Sequence, residues 1–255
     1  MCLVVLAWQF APDRRLVVAA NRDEFHARPT APMAWWGTPP LLAGRDLLAG
    51  GTWLGLDRRR RFAVITNFRA APPPPAAPSR GTLIPRFLAG TSSPESYLAE
   101  VAREGDRYAG FSLLVADEES LGYYCNREGR GPRLLDPGVY GLSNATLDAP
   151  WPKLVQSRAA LSARLGAGAL EVGDLLDVVA DRRVAADAAL PDTGIGVELE
   201  RRLSAAFIVG HDYGTRSSTA LSVDAEGGGL VLERSYAPDG AEAGERTFAL
   251  EPLTR

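Results

Sequence analysis

Short apolar runs rich in β-branched and aromatic residues recur along this chain of 255 residues, and turn sequences separate them. Residues 3–8 and 16–20 flank one such turn and therefore predict an antiparallel hairpin. The same pattern surrounds four consecutive arginines and an acidic segment, and it returns near the end of the sequence. These further strands are expected at residues 52–56, 62–66, 111–115, 121–125, 139–142, 219–223, 230–236 and 247–250.

Helical patterns fill most of the stretches between the strands. Ser93 followed by Pro94 is typical of a helix start, because serine caps the first turn and proline needs no hydrogen bond there. Strands in hairpins, then helices, then strands again predict an α+β fold with antiparallel sheets. The helices are expected at residues 83–88, 95–103, 152–165, 173–179 and 196–203.

A single domain over residues 1–255 is the expected organisation, since the sequence shows no internal repeat and no composition shift typical of a linker. Residues 70–78 contain five prolines and predict a stiff, exposed loop within residues 70–80.

Composition and charge narrow the function classes. With 46% hydrophobic and 23% charged residues and a net charge of −3, the chain is globular and has no electrostatic footprint for nucleic acid. The four arginines at residues 58–61 lie between two apolar segments and indicate a solvated turn. Arginine greatly outnumbers lysine, which is typical of GC-rich bacteria, and Lys153 is the only lysine.

The apolar opening of the sequence is too short for a membrane span and lacks the basic region of a signal peptide. Two cysteines, Cys2 and Cys125, cannot form a disulfide framework and indicate a reducing compartment. The sequence therefore predicts a soluble cytoplasmic protein and leaves its oligomeric state open.

Cys2 becomes the first residue if Met1 is removed, which is usual when the second residue is small. It then carries both a thiol and a free α-amine. An α-amine has an ordinary pKa of about 7.7–8.0, so part of it can accept the thiol proton near neutrality. Cys2 is therefore a candidate nucleophile, and a small apolar residue on a buried strand is the alternative interpretation.

A polar cluster of Asn21, Arg22, Asp23 and Glu24 follows the second predicted strand, and hairpin pairing brings it near the chain start. An arginine there can lower the pKa of the thiol, and an aspartate can hold the α-amine. A local ion pair at a solvated strand end is the alternative interpretation.

Asn67 and Asn144 each end a strand-like run, and side-chain amides are good oxyanion donors in acyl transfer, although turn capping is their usual role. Residues 211–219 form a polar stretch that indicates either a loop or a substrate-binding edge. The sequence contains no metal-ligand spacing, no serine-hydrolase elbow and no phosphate-binding glycine motif, so neither a metal nor a cofactor is expected.

These segments resemble, in order along most of the chain, the motifs of the NRDE family, also called the transport and Golgi organisation protein 2 family. That family is similar in pattern to N-terminal-nucleophile amidohydrolases of the choloylglycine hydrolase and penicillin V acylase type, so the resemblance implies a four-layer α-β-β-α sandwich. The seven matching pieces are residues 1–3, 19–25 with 28–30, 48–55, 66–69, 79–81, 141–145 with 150–153, and 214–219.

The resemblance also implies roles for individual residues. Cys2 is the implied nucleophile, and Arg22 and Asp23 are implied to poise its thiol and amine. Asn67 and Asn144 are implied to line the oxyanion hole.

Arg216 is implied as a second cation at the site, and with Arg22 it is expected to depress the pKa of the Cys2 thiol. In those hydrolases the arginine and aspartate lie further apart in sequence than Arg22 and Asp23. Adjacent residues on a regular strand point to opposite faces. Either the strand has ended by residue 22, or Asn21, as a substrate-binding residue, shares the site with Asp23.

Two functions of different class follow from the resemblance. The first is a hydrolase that cleaves an amide bond of a small acylated molecule. The second is a non-catalytic carrier or chaperone for haem or another hydrophobic ligand in the same pocket, with His26, His211 and Cys2 as candidate axial ligands. The presence of Cys2 together with two asparagines and two arginines favours the hydrolase.

Overall fold

The computed structural model describes residues 2–69, 77–168 and 170–254. These residues form two compact units. Unit 1 comprises Met1–Ala27, Pro137–Ser143 and Leu147–Arg255, and unit 2 comprises Arg28–Asp136 and Asn144–Thr146. The prediction of one domain stays a prediction. Residues 70–76 of the expected proline-rich loop lie outside the described residues, as does Met1.

The described residues form an α+β fold of antiparallel strands and a few helices. The strands are β1 (Cys2–Ala11), β2 (Arg14–Phe25), β3 (Thr30–Trp35), β4 (Leu41–Asp46), β5 (Leu54–Asp57), β6 (Phe62–Asn67), β7 (Phe111–Ala116), β8 (Leu121–Cys125), β9 (Arg133–Leu135), β10 (Gly138–Leu142), β11 (Tyr213–Asp224), β12 (Gly229–Tyr236) and β13 (Glu242–Leu250). The α-helices are α1 (Leu83–Ala89), α2 (Pro94–Glu104), α3 (Pro152–Gly166) and α4 (Val197–Arg202). Short 3₁₀ helices span Arg80–Thr82, Gly105–Arg107, Val172–Val179 and Asp187–Ala189.

Unit 1 is built on a six-stranded antiparallel sheet in the order β10-β1-β2-β11-β12-β13. Alternate apolar residues in the buried parts of β1 and β2, including Leu3, Val5 and Val17, belong to one cluster with Leu161 of α3 and Leu175 of the 3₁₀ helix Val172–Val179. Because side chains alternate between faces along a strand, this spacing places α3 and the 3₁₀ helix on one face of the sheet.

Unit 2 is a seven-stranded antiparallel sheet in the sequential order β3 to β9. The helices α1 and α2 pack on it through an apolar cluster that includes Phe87, Leu98 and Leu113. The expected start of α2 is confirmed, since the Ser93 side chain accepts a hydrogen bond from the Ser96 backbone N–H and proline occupies the first turn.

Two glycine-containing segments that match the family motifs meet in unit 2. A Cβ on Gly51 would lie 2.5 Å from the carbonyl carbon of Gly81, and the Gly81 carbonyl accepts a hydrogen bond from the Thr52 backbone N–H. Only a residue without a side chain permits this approach of two backbones.

The arginine segment at residues 58–61 corrects one expectation. Arg58 and Arg59 are exposed in a turn, as expected, but Arg60 and Arg61 are buried. The Arg61 guanidinium donates to the carbonyls of Phe87 and Ser92, and Arg59 donates to those of Leu88 and Gly90. These arginines therefore satisfy carbonyls at the end of α1, where a helix leaves its last carbonyls without partners and favours positive charge.

The predicted strands and helices are confirmed, with ends that shift by up to six residues, except that residues 173–179 lie in a 3₁₀ helix. The sequence interpretation missed three strands. β3 contains Pro32, which interrupts strand pairing and is tolerated because β3 lies at the sheet edge. β4 ends in a glycine and two charged residues, and β9 is three residues long and largely exposed.

No helix among residues 2–69, 77–168 and 170–254 is long and apolar enough to cross a membrane.

Candidate active site

Cys2 opens β1, and the register of the hairpin decides which residues face it. Cys2 lies directly opposite Arg22 on β2, and Leu3 lies opposite Asn21. Residues directly opposite in an antiparallel pair share a face of the sheet. Cys2 and Arg22 therefore share one face, whereas Asn21 belongs to the face that carries the Leu3 cluster.

The Cys2 thiol is buried, with 8% of the residue exposed. Burial raises its pKa, and the negative charge of Asp23 raises it further. The positive charges of the N-terminal amine and of Arg22 and a hydrogen bond from the Asp23 backbone N–H act in the opposite direction but do not outweigh burial. The structure therefore does not support the expected depression of the thiol pKa while Met1 is in place, because removing the thiolate from water costs more than these contacts return.

Arg22 is buried and forms an ion pair with Glu24, with 3.8 Å between its Nη2 and the Glu24 Oε2. Because β2 continues to Phe25, the alternative in which the strand ends by residue 22 is wrong. Arg22 and its ion-pair partner Glu24 are the members of the polar cluster that lie on the Cys2 face of β2.

Asp23 is almost completely buried, at 1% exposure, and lies opposite Thr215 of β11. Its Oδ1 accepts a hydrogen bond of 2.7 Å from the Thr215 hydroxyl, and its backbone carbonyl accepts one from the Tyr213 hydroxyl. Burial raises the pKa of the Asp23 carboxyl, and the strongest influence in the opposite direction is the positive charge of Lys153.

Asn21 is fully buried, and its side chain has three hydrogen bonds to other parts of unit 1. Its Nδ2 donates to the carbonyls of Val179 and Ala206 at 2.7 and 2.8 Å, and its Oδ1 accepts from the Ser218 hydroxyl at 2.5 Å. These bonds fasten β2 to the 3₁₀ helix and to the segment before β11. The substrate-binding role predicted for Asn21 stays a prediction, and the observed bonds are structural.

Arg216 occupies a bulge in the pairing of β2 with β11, between Thr215 and Ser217. A bulge redirects a side chain that regular alternation would send elsewhere. Its Nη1 donates to the carbonyls of Phe25 and His26, and its pKa is lowered by partial burial and then by the charge of Arg22. The two arginines named by the sequence are therefore electrostatic neighbours.

Asn67 and Asn144 lie together in unit 2. The Asn144 Nδ2 donates to the Asn67 carbonyl at 3.0 Å, and the Asn144 carbonyl accepts from the Arg69 backbone N–H at 2.7 Å. Asn144 is buried and adopts a positive φ of 49°, a conformation that asparagine tolerates better than most residues. The oxyanion role implied for both amides stays a prediction.

The two histidines differ in position. His211 has a side chain that is 96% exposed and pairs with Asp212. His26 is partly buried, and desolvation followed by the charge of Arg216 lowers its pKa. Within the described part of the chain, no group of three or more histidine, cysteine, aspartate or glutamate side chains could hold a metal ion.

Two residues at this site were not identified from sequence reasoning alone. Thr215, which binds the Asp23 carboxylate, was only part of a polar stretch. Lys153, whose charge acts on Asp23, was part of a motif without an assigned role. The detectable signal for Lys153 was that the only lysine of the sequence lies near the start of an amphipathic helix.

A solved structure of similar fold defines the class. The C2A mutant of the conjugated bile acid hydrolase from Clostridium perfringens matches with a TM-score of 0.52 and 8% sequence identity, covering 98% of this chain and 92% of that chain. The fold is of the N-terminal-nucleophile hydrolase type, with two antiparallel sheets and a few helices, as the sequence predicted.

Sequence relatives then define the family. The model of the family described as Transport and Golgi organisation 2 matches residues 1–238. The Transport and Golgi organization protein 2 homolog of Bos taurus is 37% identical over 261 residues, and that of Homo sapiens is 37% identical over 260, each match covering 92% of this chain and 93% of the relative. This chain belongs to the transport and Golgi organisation 2 family, as its motifs indicated.

Proposed function

We propose that this protein is a cysteine N-terminal-nucleophile hydrolase that cleaves an amide bond of a small acylated molecule after Met1 is removed. The observation that carries the proposal is the placement of Cys2, with Arg22 opposite it on the same face and the Asp23 backbone N–H on its thiol. The fold type, which is shared with a bile acid hydrolase, is compatible with this activity.

The raised pKa of the thiol determines what the proposed mechanism needs. A buried thiol that stays protonated at neutral pH requires a base when it attacks. The α-amine that Met1 removal would create on Cys2 is that base, since its ordinary pKa is about 7.7–8.0. The Asp23 carboxylate holds the amine in place, and Arg22 stabilises the sulfur as it loses its proton.

The proposed reaction has two steps. The Cys2 sulfur attacks the amide carbon while its proton passes to the α-amine; the C–N bond then breaks, and the leaving amine takes that proton. A thioester between Cys2 and the acyl group remains. Water attacks the thioester carbon, the α-amine accepts the water proton and returns it to the departing sulfur, and the free acid is released.

The carrier hypothesis for haem or another hydrophobic ligand remains the alternative. Of its three candidate axial ligands, His211 is exposed, whereas Cys2 is buried and His26 partly buried. We prefer the hydrolase because Arg22 and the Asp23 backbone N–H are placed at the Cys2 thiol. The cytoplasmic location expected from the two cysteines also stays a prediction.

Intact mass and a panel of N-acyl amide substrates test the proposal. We expect the native protein to lack Met1 and to hydrolyse at least one acyl amide. Cys2→Ala is expected to lower the rate by about 10⁴-fold or more, because nucleophile loss removes the covalent route. Cys125→Ala is the matched control: Cys125 is buried on β8 in unit 2 and is expected to leave hydrolysis unchanged. Full retention of Met1, or hydrolysis that persists in Cys2→Ala, would contradict the proposal.

A further inference from the structure

Lys153 is the only lysine in the chain, and it is buried, with 4% of the residue exposed. It lies in the first turn of α3, and its Nζ donates to the Leu203 carbonyl at 2.9 Å. Burying an ammonium group is costly unless polar or charged groups nearby compensate for the lost water. A lone lysine placed in the interior of unit 1 therefore calls for a negatively charged neighbour.

The segment at residues 203–208 holds both the ammonium group and the site carboxylate. At its start, the Leu203 carbonyl binds Lys153. At its end, the Ile208 backbone N–H donates to the Thr215 hydroxyl, which in turn donates to Asp23 Oδ1. The segment thus connects the ammonium group to the carboxylate through hydrogen bonds to its own backbone and to one threonine.

The close approach of this segment to β11 depends on a glycine. A Cβ on Gly214 would lie 2.7 Å from the Ile208 carbonyl, which accepts a hydrogen bond from the Thr215 backbone N–H. The same segment is also bound from the other side, because the Ala206 carbonyl accepts from the Asn21 side chain. The segment is therefore fixed on β2 and β11 along the stretch that faces Asp23.

The electrostatics agree with this geometry. Burial raises the pKa of the Asp23 carboxyl. The charge of Lys153 opposes that effect most, followed by the N-terminal amine, the Thr215 hydroxyl and the charge of Arg22. An opposite charge close to a carboxylate favours its ionised form.

We propose that Lys153 is a positioning residue for the candidate active site, where its buried ammonium group favours the ionised form of Asp23 and holds the 203–208 segment in place. The inference rests on the proposed function for the use of that carboxylate, which there holds the α-amine of Cys2. The coupling of Lys153 to Asp23 can be measured without any substrate.

The test compares the unfolding equilibrium constant of the full chain between pH 4 and 8 in wild type, Lys153→Met and Lys153→Arg. The folded-state pKa of Asp23 is raised above 3.8, so the folded state binds the extra proton and stability falls as pH rises from 3.8 to that pKa. Removing the lysine charge raises the pKa further and extends the window upward. In the extended window, the unfolding constant of Lys153→Met should grow relative to wild type by up to about tenfold per pH unit.

Two comparisons separate this effect from lost packing. Lys153→Arg keeps the cation and should restore the wild-type pH dependence. In an Asp23→Asn background, Lys153→Met should change the unfolding equilibrium constant by the same factor at every pH. Arg158→Met is the matched control, because Arg158 is a cation on the same helix that pairs with Asp148 at the surface. The ratio of its unfolding constant to that of wild type should stay constant between pH 5 and 8.

A second measurement does not require that the Lys153 variants fold. Labelling with [¹³C]lysine gives a single lysine spin system, since the sequence has one lysine. Its side-chain signals should show an inflection above pH 3.8 as Asp23 titrates, and Asp23→Asn should abolish it.

A wild-type titration without that inflection, or a Lys153→Met effect that is independent of pH, would overturn the inference and leave the Cys2 proposal standing. An unreactive Cys2 in a protein that shows the coupling would overturn the hydrolase and leave the coupling intact.

Discussion

Two polar clusters at strand ends invite comparison, one in each unit. The β2 cluster consists of Asn21, Arg22 and Asp23, and the arginine turn consists of Asp57 and the four arginines that follow it. The β2 cluster lies within the last part of strand β2, and the arginine turn begins at Asp57, the last residue of β5. Each cluster contains buried charged residues. From sequence, both admitted the same interpretation as solvated charges in a turn or at a strand end.

The hydrogen-bond partners distinguish the two clusters. In the arginine turn, the Asp57 carboxylate accepts from the backbone N–H groups of Arg59 and Arg61, and the guanidinium groups bind carbonyls around the end of α1. In the β2 cluster, Arg22 faces a buried thiol, and the Asp23 backbone N–H binds it. Charge that serves backbone groups is structural, whereas charge that faces a nucleophile can change reactivity.

Asn21→Ala is expected to have the largest effect on stability among the following variants. It leaves the carbonyls of Val179 and Ala206 and the Ser218 hydroxyl without this partner in a buried region. We expect a loss of about 3 kcal/mol in the free energy of unfolding, measured by urea denaturation. Alkylation of Cys2 should keep its wild-type dependence on pH.

Ser218→Ala is the matched control, since it removes only the Oδ1 partner, and a loss of about 1 kcal/mol is expected. If Asn21→Ala instead leaves stability intact and changes substrate affinity, Asn21 belongs to the binding site. The distinction between a structural Asn21 and an Arg22 that faces the thiol would then be wrong.

Asp57→Ala tests whether the arginine turn is only structural. The change removes the acceptor of two backbone N–H groups and of the Arg59 guanidinium. We expect a loss of about 2 kcal/mol in the free energy of unfolding, with Cys2 alkylation unchanged.

Asp117→Ala is the comparable change at the turn between β7 and β8, where the carboxylate also accepts from two backbone N–H groups and from the Ser120 hydroxyl, and where Arg61 acts on it through its charge. A loss below about 1 kcal/mol is expected there. Equal losses at the two turns would show that the hydrogen bond from Arg59 to Asp57 contributes nothing to the stability of the first.

The smallest effect is expected for the pH midpoint of Cys2 alkylation, followed by mass spectrometry of the Cys2 peptide in a Cys125→Ser background. The wild-type midpoint should lie above that of an ordinary exposed cysteine, because burial raises the thiol pKa. Arg22→Met should move it further upward, since Arg22 lowers that pKa. Arg216→Met should move it less, because Arg216 binds the carbonyls of Phe25 and His26. A larger shift for Arg216→Met would exchange the roles of the two arginines.

Local patterns in the sequence account for most of the secondary structure. Apolar runs bounded by turns predicted ten of the strands, and the cap formed by Ser93 and Pro94 predicted the start of α2. β3 was not predicted, because Pro32 interrupts its strand pattern. A proline is tolerated there because β3 is an edge strand. Position alone made Cys2 a candidate nucleophile, since only the second residue can gain a free amine by loss of Met1.

Tertiary structure decided which polar side chains act together. Asn21 and Arg22, which are adjacent in sequence, fall on opposite faces because side chains alternate along a strand. The hairpin register, which pairs Cys2 with Arg22, decides which of the two shares the face of the thiol. The partners of Asp23 come from distant parts of unit 1: Thr215 lies on β11, and Lys153 lies on α3. Periodicity along a chain records which positions are buried, but it carries no information about which distant segment packs there. That choice is made only when strand register and helix packing bring the segments together.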